Sequence, residues 1–410
     1  MCKTFDSLSK TLNTEKREEK MNYENEIRTC LDRFETILRE QLAREERMER
    51  EAGSVDYAKK EKIRIGLIPG DGIGTVIFGS ARQVLDLLLA EKLAEGKVEL
   101  VPIEGLTIEN RLACGESVPA PILREIKGCD VLLKGPTTTP KGGSDAPDME
   151  SANVTLRREL DLYANVRPVS VPEKGIDWTF FRENTEGEYV LGSRGVEVGD
   201  KLACDFKITT DAGTRRIARA AFEFARKNGK TNVAVVTKAN IMKKTDGKFS
   251  RIANEIAAEY PEIGHEDWYI DIMTANLVNE EIRSRFQVFL LPNLYGDIIT
   301  DEAAQIQGGV GTGGSANIGD RYAMFEAIHG SAPRMIAEGK GHYANPQSIL
   351  RATEMLLRHI SFSREADLLA AALAETTGRD AAVVIDGYAG ATCAEYTAYL
   401  TETLRRLLAR

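Results

Sequence analysis

The chain has 410 residues, which at about 150 residues per domain predicts two or three domains and a large buried core. Apolar residues make up 42% and charged residues 29%, so a wholly disordered or collagen-like chain is excluded. The net charge of −9 repels nucleic acid and anionic membranes, so we expect neither as a partner, and an anionic substrate requires a local basic cluster.

The six cysteines show no CxxC spacing, and no apolar segment opens the chain as a secretory signal would. We therefore expect free thiols in a reducing compartment, the cytosol. No apolar run approaches the 18 or so residues that span a bilayer. Only four histidines are present, so a bound metal is expected to be a hard cation on carboxylates.

Residues 1–60 differ from the rest of the chain because 13 Lys and Arg and 14 Asp and Glu fall within them. Apolar side chains recur there at helical spacing and predict an amphipathic helix; they are Ile27, Cys30, Leu31, Phe34, Ile37 and Leu38. This helix either docks on its own subunit, partly solvated or disordered, or mediates oligomerisation. Gly53 and Ser54 resemble a linker.

From Ile63 onward, short apolar strands alternate with helical patterns, which predicts an α/β fold. The helices are expected at 75–94, 215–227, 249–258 and Gln347–His359. The loop PGDGIG lies between the first strand and the first of these helices. It carries Gly70 and Gly72, but Thr75 stands where a dinucleotide-binding fingerprint needs its third glycine, so a tight structural turn is an equal alternative.

Two acids, Asp297 and Asp301, lie four residues apart in GDIITD, at the expected start of a helix. This spacing places both carboxylates on one helical face, where Mg²⁺ or Mn²⁺ would relieve their repulsion. Two solvated acids that stabilise the helix N-terminus are the alternative.

Several polar and basic residues cluster in SANVTLRRELDLYANVRP and FRENTEGEY, namely Ser151, Asn153, Arg157, Arg167 and Arg182. A guanidinium group matches a carboxylate, so converging arginines predict a substrate with several carboxylates; an ordinary exposed helix carrying Arg157 and Arg158 is the alternative. Lys238 ends an apolar strand and is a candidate general base, while His329 lies in a glycine-containing loop. Taken alone, a lysine is more often a surface charge and a histidine more often a structural residue.

In this order, the motifs PGDGIG, LRRELDLYANVRP, FRENTEG, NLYGDIITDEAA, GGSANIG and HGSAP resemble the β-decarboxylating dehydrogenases, the family of isocitrate and 3-isopropylmalate dehydrogenases. The resemblance runs from Ile63 to the C-terminus. It implies the two-domain β-decarboxylating dehydrogenase fold, which is not a Rossmann fold, with an added N-terminal helical extension over 1–60. It further implies a large domain of 61–162 and 309–410, a small domain of 163–186 and 211–308, and a clasp-like segment at 187–210.

The resemblance also implies residue roles and an activity. Ser151, Asn153 and Arg157 fit the isocitrate pattern, so the implied reaction is metal-dependent oxidative decarboxylation of isocitrate to 2-oxoglutarate. Arg157, Arg167 and Arg182 would hold carboxylates, with Tyr189 and Lys238 as catalytic proton carriers. Asp271, Asp297 and Asp301 would bind Mg²⁺ or Mn²⁺. Asp271 and Lys238 would come from a partner subunit, which implies a homodimer or a higher homo-oligomer. The implied cofactor-binding residues are Thr138, Glu326, His329, Gly330, Ala332, Arg334 and Asn345.

Three alternatives remain within this resemblance. Arg334 stands where relatives that use NAD commonly have an aspartate, which slightly favours NADP over NAD. The stretch 139–151 is longer than in many relatives and could alter specificity, so 3-isopropylmalate or homoisocitrate is a second substrate reading. A non-catalytic regulatory subunit of a hetero-oligomeric dehydrogenase is the third.

Overall fold

A computed structural model describes residues 2–50, 53, 55–140, 149–192, 194–309, 311–377, 381–385 and 390–410, with side chains in the first helix from residue 23 to 48. Most of the expected longer loop 139–151 lies outside this part. None of the described helices is long and apolar enough to cross a membrane. The five cysteines with described side chains are unpaired, as predicted.

Fourteen α-helices are present in the described part of the chain: α1 Cys2–Arg50, α2 Gly74–Leu88, α3 Ala90–Ala94, α4 Ile108–Cys114, α5 Ala120–Lys127, α6 Ala152–Glu159, α7 Asp211–Lys227, α8 Thr245–Ala257, α9 Ile270–Val278, α10 Asn293–Gln307, α11 Pro333–Ala337, α12 Gln347–His359, α13 Ser363–Thr377 and α14 Cys393–Leu408.

The described strands are β1 Ile63–Ile68, β2 Val98–Pro102, β3 Val131–Lys134, β4 Ala164–Val171, β5 Ile176–Glu183, β6 Val196–Val198, β7 Leu202–Cys204, β8 Asn232–Thr237, β9 Gly264–Tyr269, β10 Val288–Leu291, β11 Gly314–Ile318 and β12 Ala323–Ala327. Ten of them form one sheet in the order β2-β1-β3-β12-β11-β4-β5-β10-β8-β9, and β6 pairs with β7 in a separate hairpin.

The large sheet is mixed. Its outer pairs are parallel, whereas β12, β11, β4 and β5 are joined by antiparallel pairing at the centre. A classical dinucleotide-binding sheet is parallel throughout its core, so the prediction of an α/β fold that is not a Rossmann fold is confirmed. The strands on one side of the β11–β4 boundary come from the expected large domain and those on the other side from the expected small domain; the domain division itself stays a prediction.

Helices cover both faces of the sheet, as its parallel strands require. In β8, Val233 and Val235 pack into one apolar core while Ala234 and Val236 pack into another, so no face of this strand is left to solvent. Of the expected helices, Gln347–His359 has the predicted bounds, and the stretch 75–94 is divided at Leu89 into α2 and α3. Helix α7 begins before its predicted start because Thr210 caps it by accepting a hydrogen bond from the Gly213 amide.

The N-terminal helix α1 docks on the body of its own subunit. Ile37 is fully buried, the Phe34 ring stacks on Phe206 with centroids 5.1 Å apart, and the Cys30 thiol donates to the Glu197 carbonyl in β6. The apolar stripe predicted from spacing is only partly used, because Leu31 and Leu38 remain exposed. The buried side is centred on Ile37 and Cys30, which form one edge of that stripe.

Candidate active site

Three arginines lie together where α6, β4 and β5 meet. Arg157 is on α6, Arg167 is on β4 and Arg182 is near the end of β5, and all three side chains are buried. Burial, together with the neighbouring Arg157 and Arg167 charges, lowers the pKa of Arg182 to about 10. Like charges brought together in a buried place need anions nearby, so this cluster is built to hold negative groups.

Carboxylates of two different elements partly neutralise these arginines. Arg182 donates to Asp297 on α10, and Arg167 donates to Asp301 on the same helix over 3.1 Å. Arg157 donates to Glu326 on β12 over 3.2 Å. The buried Nε atoms of Arg157 and Arg167 find no hydrogen-bond partner in the described part of the chain. These two N–H groups remain available to an anionic ligand.

Tyr189 lies beside the same carboxylate. Its hydroxyl donates to Oδ2 of Asp297 over 2.6 Å, and its ring lies 5.2 Å from the Arg182 guanidinium carbon. Burial and the Asp297 contact raise the pKa of Tyr189 to about 12, so the phenol keeps its proton at neutral pH. Ser151, at the start of α6, lines an opening together with Tyr189. Tyr189 can therefore act as a proton donor beside the arginine cluster.

Glu326 lies at the centre of a second set of contacts. It accepts hydrogen bonds from Asn153 at 2.9 Å and Asn317 at 2.8 Å, in addition to Arg157, and the buried ammonium group of Lys134 lies 3.9 Å away. Burial opposes ionisation, but the Arg157 and Lys134 charges lower the pKa of Glu326 below its usual range. Glu326 is therefore an anion whose hydrogen bonds hold the side chains of Asn153 and Arg157 in place.

An open cleft of about 130 Å³ joins the arginines to the loop that follows β12. It is lined by Pro136, Thr137, Asn153, Arg157, Arg167, Ser315, Glu326, Ala327, Ile328, His329 and Gly330. Residues expected on the substrate side and residues expected on the cofactor side thus share one cleft.

The PGDGIG turn holds the loops at one side of this cleft. Asp71 accepts hydrogen bonds from the amides of Ile108 at 2.8 Å and Thr138 at 2.7 Å. Gly72 has a φ of +57°, and a Cβ atom there would lie 2.2 Å from the Ser331 carbonyl oxygen. The Thr138 hydroxyl in turn contacts the Ser331 hydroxyl at 2.7 Å. The motif fastens three loops together, which supports the structural-turn reading.

The remaining residues expected to bind cofactor have diverse environments. His329 is mostly buried, burial lowers its pKa, and its Nε2 atom has no partner among the described residues. Ala332 has a φ of +45° and begins α11, and Asn345 accepts a hydrogen bond from the Gln347 amide before α12. Arg334 is 87% exposed and donates to Glu338 on its own helix. It therefore lies on the surface beside the His329 loop.

Lys238 and Asp271 form a separate pair. The Lys238 ammonium group donates to Oδ1 of Asp271 over 2.6 Å, at the ends of β8 and β9, and no described hydrogen bond or ion pair joins either residue to the arginine cluster. Within the described residues, no three histidine, cysteine, aspartate or glutamate side chains gather to hold a metal. One chain brings Asp297 and Asp301 together but not Asp271.

The residues present nevertheless fit a hard divalent cation. Asp297 and Asp301 lie on one face of α10, and the Asp301 side chain is 63% exposed, so carboxylate oxygens are accessible beside the arginines. Mg²⁺ is usually bound by one or two protein carboxylates and completed by substrate and water. Asp271 would have to come from a second copy of the chain.

Several contributing residues were missed by sequence analysis. Lys134 ends the apolar strand DVLLKGP as Lys238 ends VAVVTKAN, so the same strand-end argument would have identified it. Burial lowers the pKa of Lys134 to about 8. Asn293 and Asn317 gave no comparable signal, because an isolated asparagine is common in loops and at strand ends.

Comparison with known proteins agrees with this geometry. The family profile described as "Isocitrate/isopropylmalate dehydrogenase" matches residues 64–398. A Caenorhabditis elegans protein named "Probable isocitrate dehydrogenase [NAD] subunit alpha, mitochondrial" is 35% identical over 353 residues, covering 84% of this chain and 93% of its own. A Rickettsia prowazekii "Isocitrate dehydrogenase [NADP]" is 40% identical over 310 residues, covering 73% of this chain and 60% of its own.

A solved structure of isocitrate dehydrogenase from Methylococcus capsulatus superposes with a TM-score of 0.73 at 34% identity. The superposition covers 84% of this chain and 99% of that one. The similarity therefore extends over the whole of that chain.

A buried carboxylate pair lies directly after Arg182. Glu183 and Glu186 are both buried in the turn ENTE, and Glu183 accepts hydrogen bonds from the amides of Thr185 and Glu186. Burial and the neighbouring Glu186 charge raise the pKa of Glu183 to about 7. The folded chain thus holds this proton up to near neutral pH, whereas the unfolded chain releases it near the ordinary pKa of about 4.3.

We predict that Glu183 makes the folded state less stable as the pH rises from about 5 to about 7, because ionisation becomes favourable first in the unfolded chain. Wild type should lose about 2 kcal/mol more unfolding free energy than Glu183→Gln between pH 5.5 and 7.5. Thermal unfolding at both pH values measures this difference. The exposed Glu173→Gln serves as control and should follow wild type; equal pH dependence in all three chains would contradict the prediction.

Proposed function

Since the chain belongs to the isocitrate/isopropylmalate dehydrogenase family, we propose that it catalyses metal-dependent oxidative decarboxylation of isocitrate to 2-oxoglutarate with reduction of a nicotinamide cofactor. The observation that carries this proposal is the convergence of Arg157, Arg167 and Arg182 beside two carboxylates of α10. A substrate with three carboxylates matches three guanidinium groups, and the two acids supply the ligands that a divalent cation needs.

Substrate choice follows from the groups around Arg157. Ser151 and Asn153 are polar and lie at the start of the same helix, where an isopropylmalate side chain would need an apolar surface. Asn153 is held by Glu326, so its amide is oriented before substrate binds. These contacts favour isocitrate over 3-isopropylmalate, with homoisocitrate as the nearest alternative.

The chain's own groups account for binding and for both proton transfers. The arginines bind the substrate carboxylates and fix the reacting carbon relative to the cleft that holds His329 and Gly330. Lys238 of a partner subunit would take the hydroxyl proton as the hydride leaves, and for this step its side chain must be the neutral amine, with its ammonium proton already released. After CO₂ is lost, the neutral phenol of Tyr189 would return a proton to carbon. Its phenol is protonated at neutral pH, so the proton is present when the carbon needs it.

Asp297 and Asp301, with Asp271 of a partner subunit, would hold Mg²⁺ or Mn²⁺, and Thr138, Glu326 and the 329–345 segment would lie against the nicotinamide cofactor. When bound, the metal acts as a Lewis acid toward the substrate oxygen and the nicotinamide accepts the hydride. The chain contributes alignment and exclusion of water around these groups.

We propose a homodimer or a higher homo-oligomer, since Lys238 and Asp271 are separated from the arginine cluster within one chain. An exposed apolar side chain lies beside each of these two parts of the site. Ile272 follows Asp271 and is 47% exposed, and Ile298 follows Asp297 and is 61% exposed. Burial of these side chains between two copies would bring the Lys238–Asp271 pair of one copy to the arginine cluster of the other. The worm relative is named as a subunit, which keeps open the second candidate, a regulatory subunit that needs a different partner chain. The cytosolic location stays a prediction.

The proposed function is tested with the purified full chain alone. We predict reduced nicotinamide formation with isocitrate and Mn²⁺, abolished by EDTA. For Asp301→Asn we predict at least about tenfold lower turnover and weaker Mn²⁺ binding in a chain that still folds. Glu302→Gln, the neighbouring acid on α10, is the control and should behave as wild type.

Faster turnover of 3-isopropylmalate or homoisocitrate than of isocitrate would reassign the substrate. An inactive chain that becomes active only with a second, different chain would favour the regulatory subunit. Metal dependence that is equal in wild type and Asp301→Asn would contradict the role of Asp301.

We further propose that NADP is preferred, because the exposed Arg334 can turn from Glu338 toward a 2′-phosphate. Arg334→Asp should lower the ratio of kcat/KM for NADP to that for NAD, since the new carboxylate would repel the phosphate and accept ribose hydroxyls. The matched control, Arg364→Asp, has the same charge change at an exposed position in α13 and should leave the ratio unchanged. If Arg334→Asp leaves this ratio unchanged, a residue other than Arg334 determines the preference between NADP and NAD.

A further inference from the structure

The N-terminal helix α1 reaches the candidate active site through Arg44. This side chain donates to Oε1 of Glu186 over 3.0 Å and to the Thr185 hydroxyl over 2.8 Å. Both acceptors belong to the buried turn that follows Arg182. Arg44 is the point at which an extension outside the matched family region, 64–398, contacts that turn.

A continuous series of hydrogen bonds leads from this contact to the arginine cluster. The carbonyl oxygen of Glu186 accepts from Nδ2 of Asn293 over 2.8 Å. Oδ1 of the same asparagine accepts from Nε and Nη2 of Arg182 over 3.0 and 2.7 Å, and Arg182 donates to Asp297. Asn293 thus fixes the plane of the Arg182 guanidinium group from one side while Asp297 holds it from the other.

Burying the two carboxylates of the 183–186 turn is energetically unfavourable unless a cation lies nearby. Glu183 and Glu186 are two buried carboxylates within four residues, and the charge of Arg44 favours ionisation of Glu183. Removing Arg44 would leave Glu186 with the Thr210 amide and hydroxyl as hydrogen-bond partners but without the cation that contacts it, so we expect the turn to shift. A shift of the Glu186 backbone moves the carbonyl group to which Asn293 is bound.

A second residue of α1 supports the same region. Oε1 of Glu45 accepts hydrogen bonds from the amides of Asp211 at 2.8 Å and Ala212 at 3.2 Å, at the start of α7. Glu186 binds the Thr210 amide at 2.8 Å at that same helix end. Two adjacent residues of α1 therefore hold this region: Arg44 binds the turn and Glu45 binds the first amides of α7. The negative charge of Glu45 is also favoured there by the dipole of α7.

We propose that Arg44 is a positioning residue for the reaction: through Glu186 and Asn293, it sets the orientation in which Arg182 meets the substrate carboxylate. This inference rests on the proposed function for its kinetic form. The extension is thereby part of the substrate-binding structure of its own subunit, in addition to any role in oligomerisation.

The test compares three full-length variants with wild type. Arg44→Gln should raise the KM for isocitrate by about 2- to 30-fold with a smaller change in kcat, because Arg182 binds the substrate in the ground state as well as the transition state. The KM for the nicotinamide should not change, because the hydrogen bonds from Arg44 to Arg182 do not include the expected cofactor-binding residues 329–334. Arg44→Lys keeps the charge near Glu186 and should restore part of the affinity.

Arg39→Gln is the matched control. Arg39 is on the same helix, is 77% exposed, and pairs with Glu35 of α1. It should behave as wild type. If Arg44→Gln lowers kcat without changing the KM for isocitrate, or if Arg44→Gln and Arg39→Gln are equal in both constants, the positioning role is overturned.

Amide hydrogen exchange separates this inference from the proposed function. Without any substrate, Arg44→Gln should weaken protection at residues 183–187 and at the start of α10, whereas Arg39→Gln should not. Wild-type protein that fails to turn over isocitrate would overturn the proposed function alone. Unchanged exchange in Arg44→Gln would overturn the link between Arg44 and Arg182, whatever the substrate.

Discussion

The structure of the site depends on one constraint: three buried guanidinium groups must be neutralised. Arg157, Arg167 and Arg182 are each buried, and burying a cation without a counter-ion is costly. The fold meets this cost with carboxylates from separate parts of the chain, Glu326 on β12 and the two aspartates of α10. The mixed sheet brings these parts together, because its antiparallel centre places β12, β11, β4 and β5 side by side. Because substrate carboxylates can take the place of these partners on the guanidinium groups, the cluster suits a substrate with several negative charges.

Contacts beyond the arginines keep this arrangement fixed. Glu326 orients Asn153 and Arg157 together, Asn293 orients Arg182, and Asp71 fastens the loops that carry Thr138 and Ser331. A catalytic site is effective when its polar groups are held in place before the substrate arrives, since no reorganisation is then needed during reaction. The N-terminal helix belongs to this supporting layer through its contacts with the turn after Arg182.

Much of this site was predictable from sequence. Arg157, Arg167, Arg182, Asp297 and Tyr189 occur in motifs whose order identifies the family, and the spacing of Asp297 and Asp301 predicted their shared helical face. Pairing between distant segments was not predictable. Nothing in the sequence indicates that Glu326 accepts a hydrogen bond from Arg157, or that Asn293 bridges Glu186 and Arg182. The docking of α1 was among the expected alternatives. Only the Cys30 and Ile37 edge of the predicted apolar stripe is covered, because spacing shows which apolar faces exist and not how much of each the body covers.

Asp297 is the residue at which the proposed substrate site and the proposed metal site meet, since it accepts hydrogen bonds from Arg182 and Tyr189 and is also the expected metal ligand. A substrate carboxylate that engages Arg182 would free Asp297, and a cation on Asp297 would free Arg182. The two ligands should therefore assist each other, by equal factors in both directions. Calorimetric titration of isocitrate with and without Mn²⁺, and of Mn²⁺ with and without isocitrate, measures this coupling. We predict that each ligand tightens binding of the other by about 5- to 150-fold. Independent affinities would contradict it.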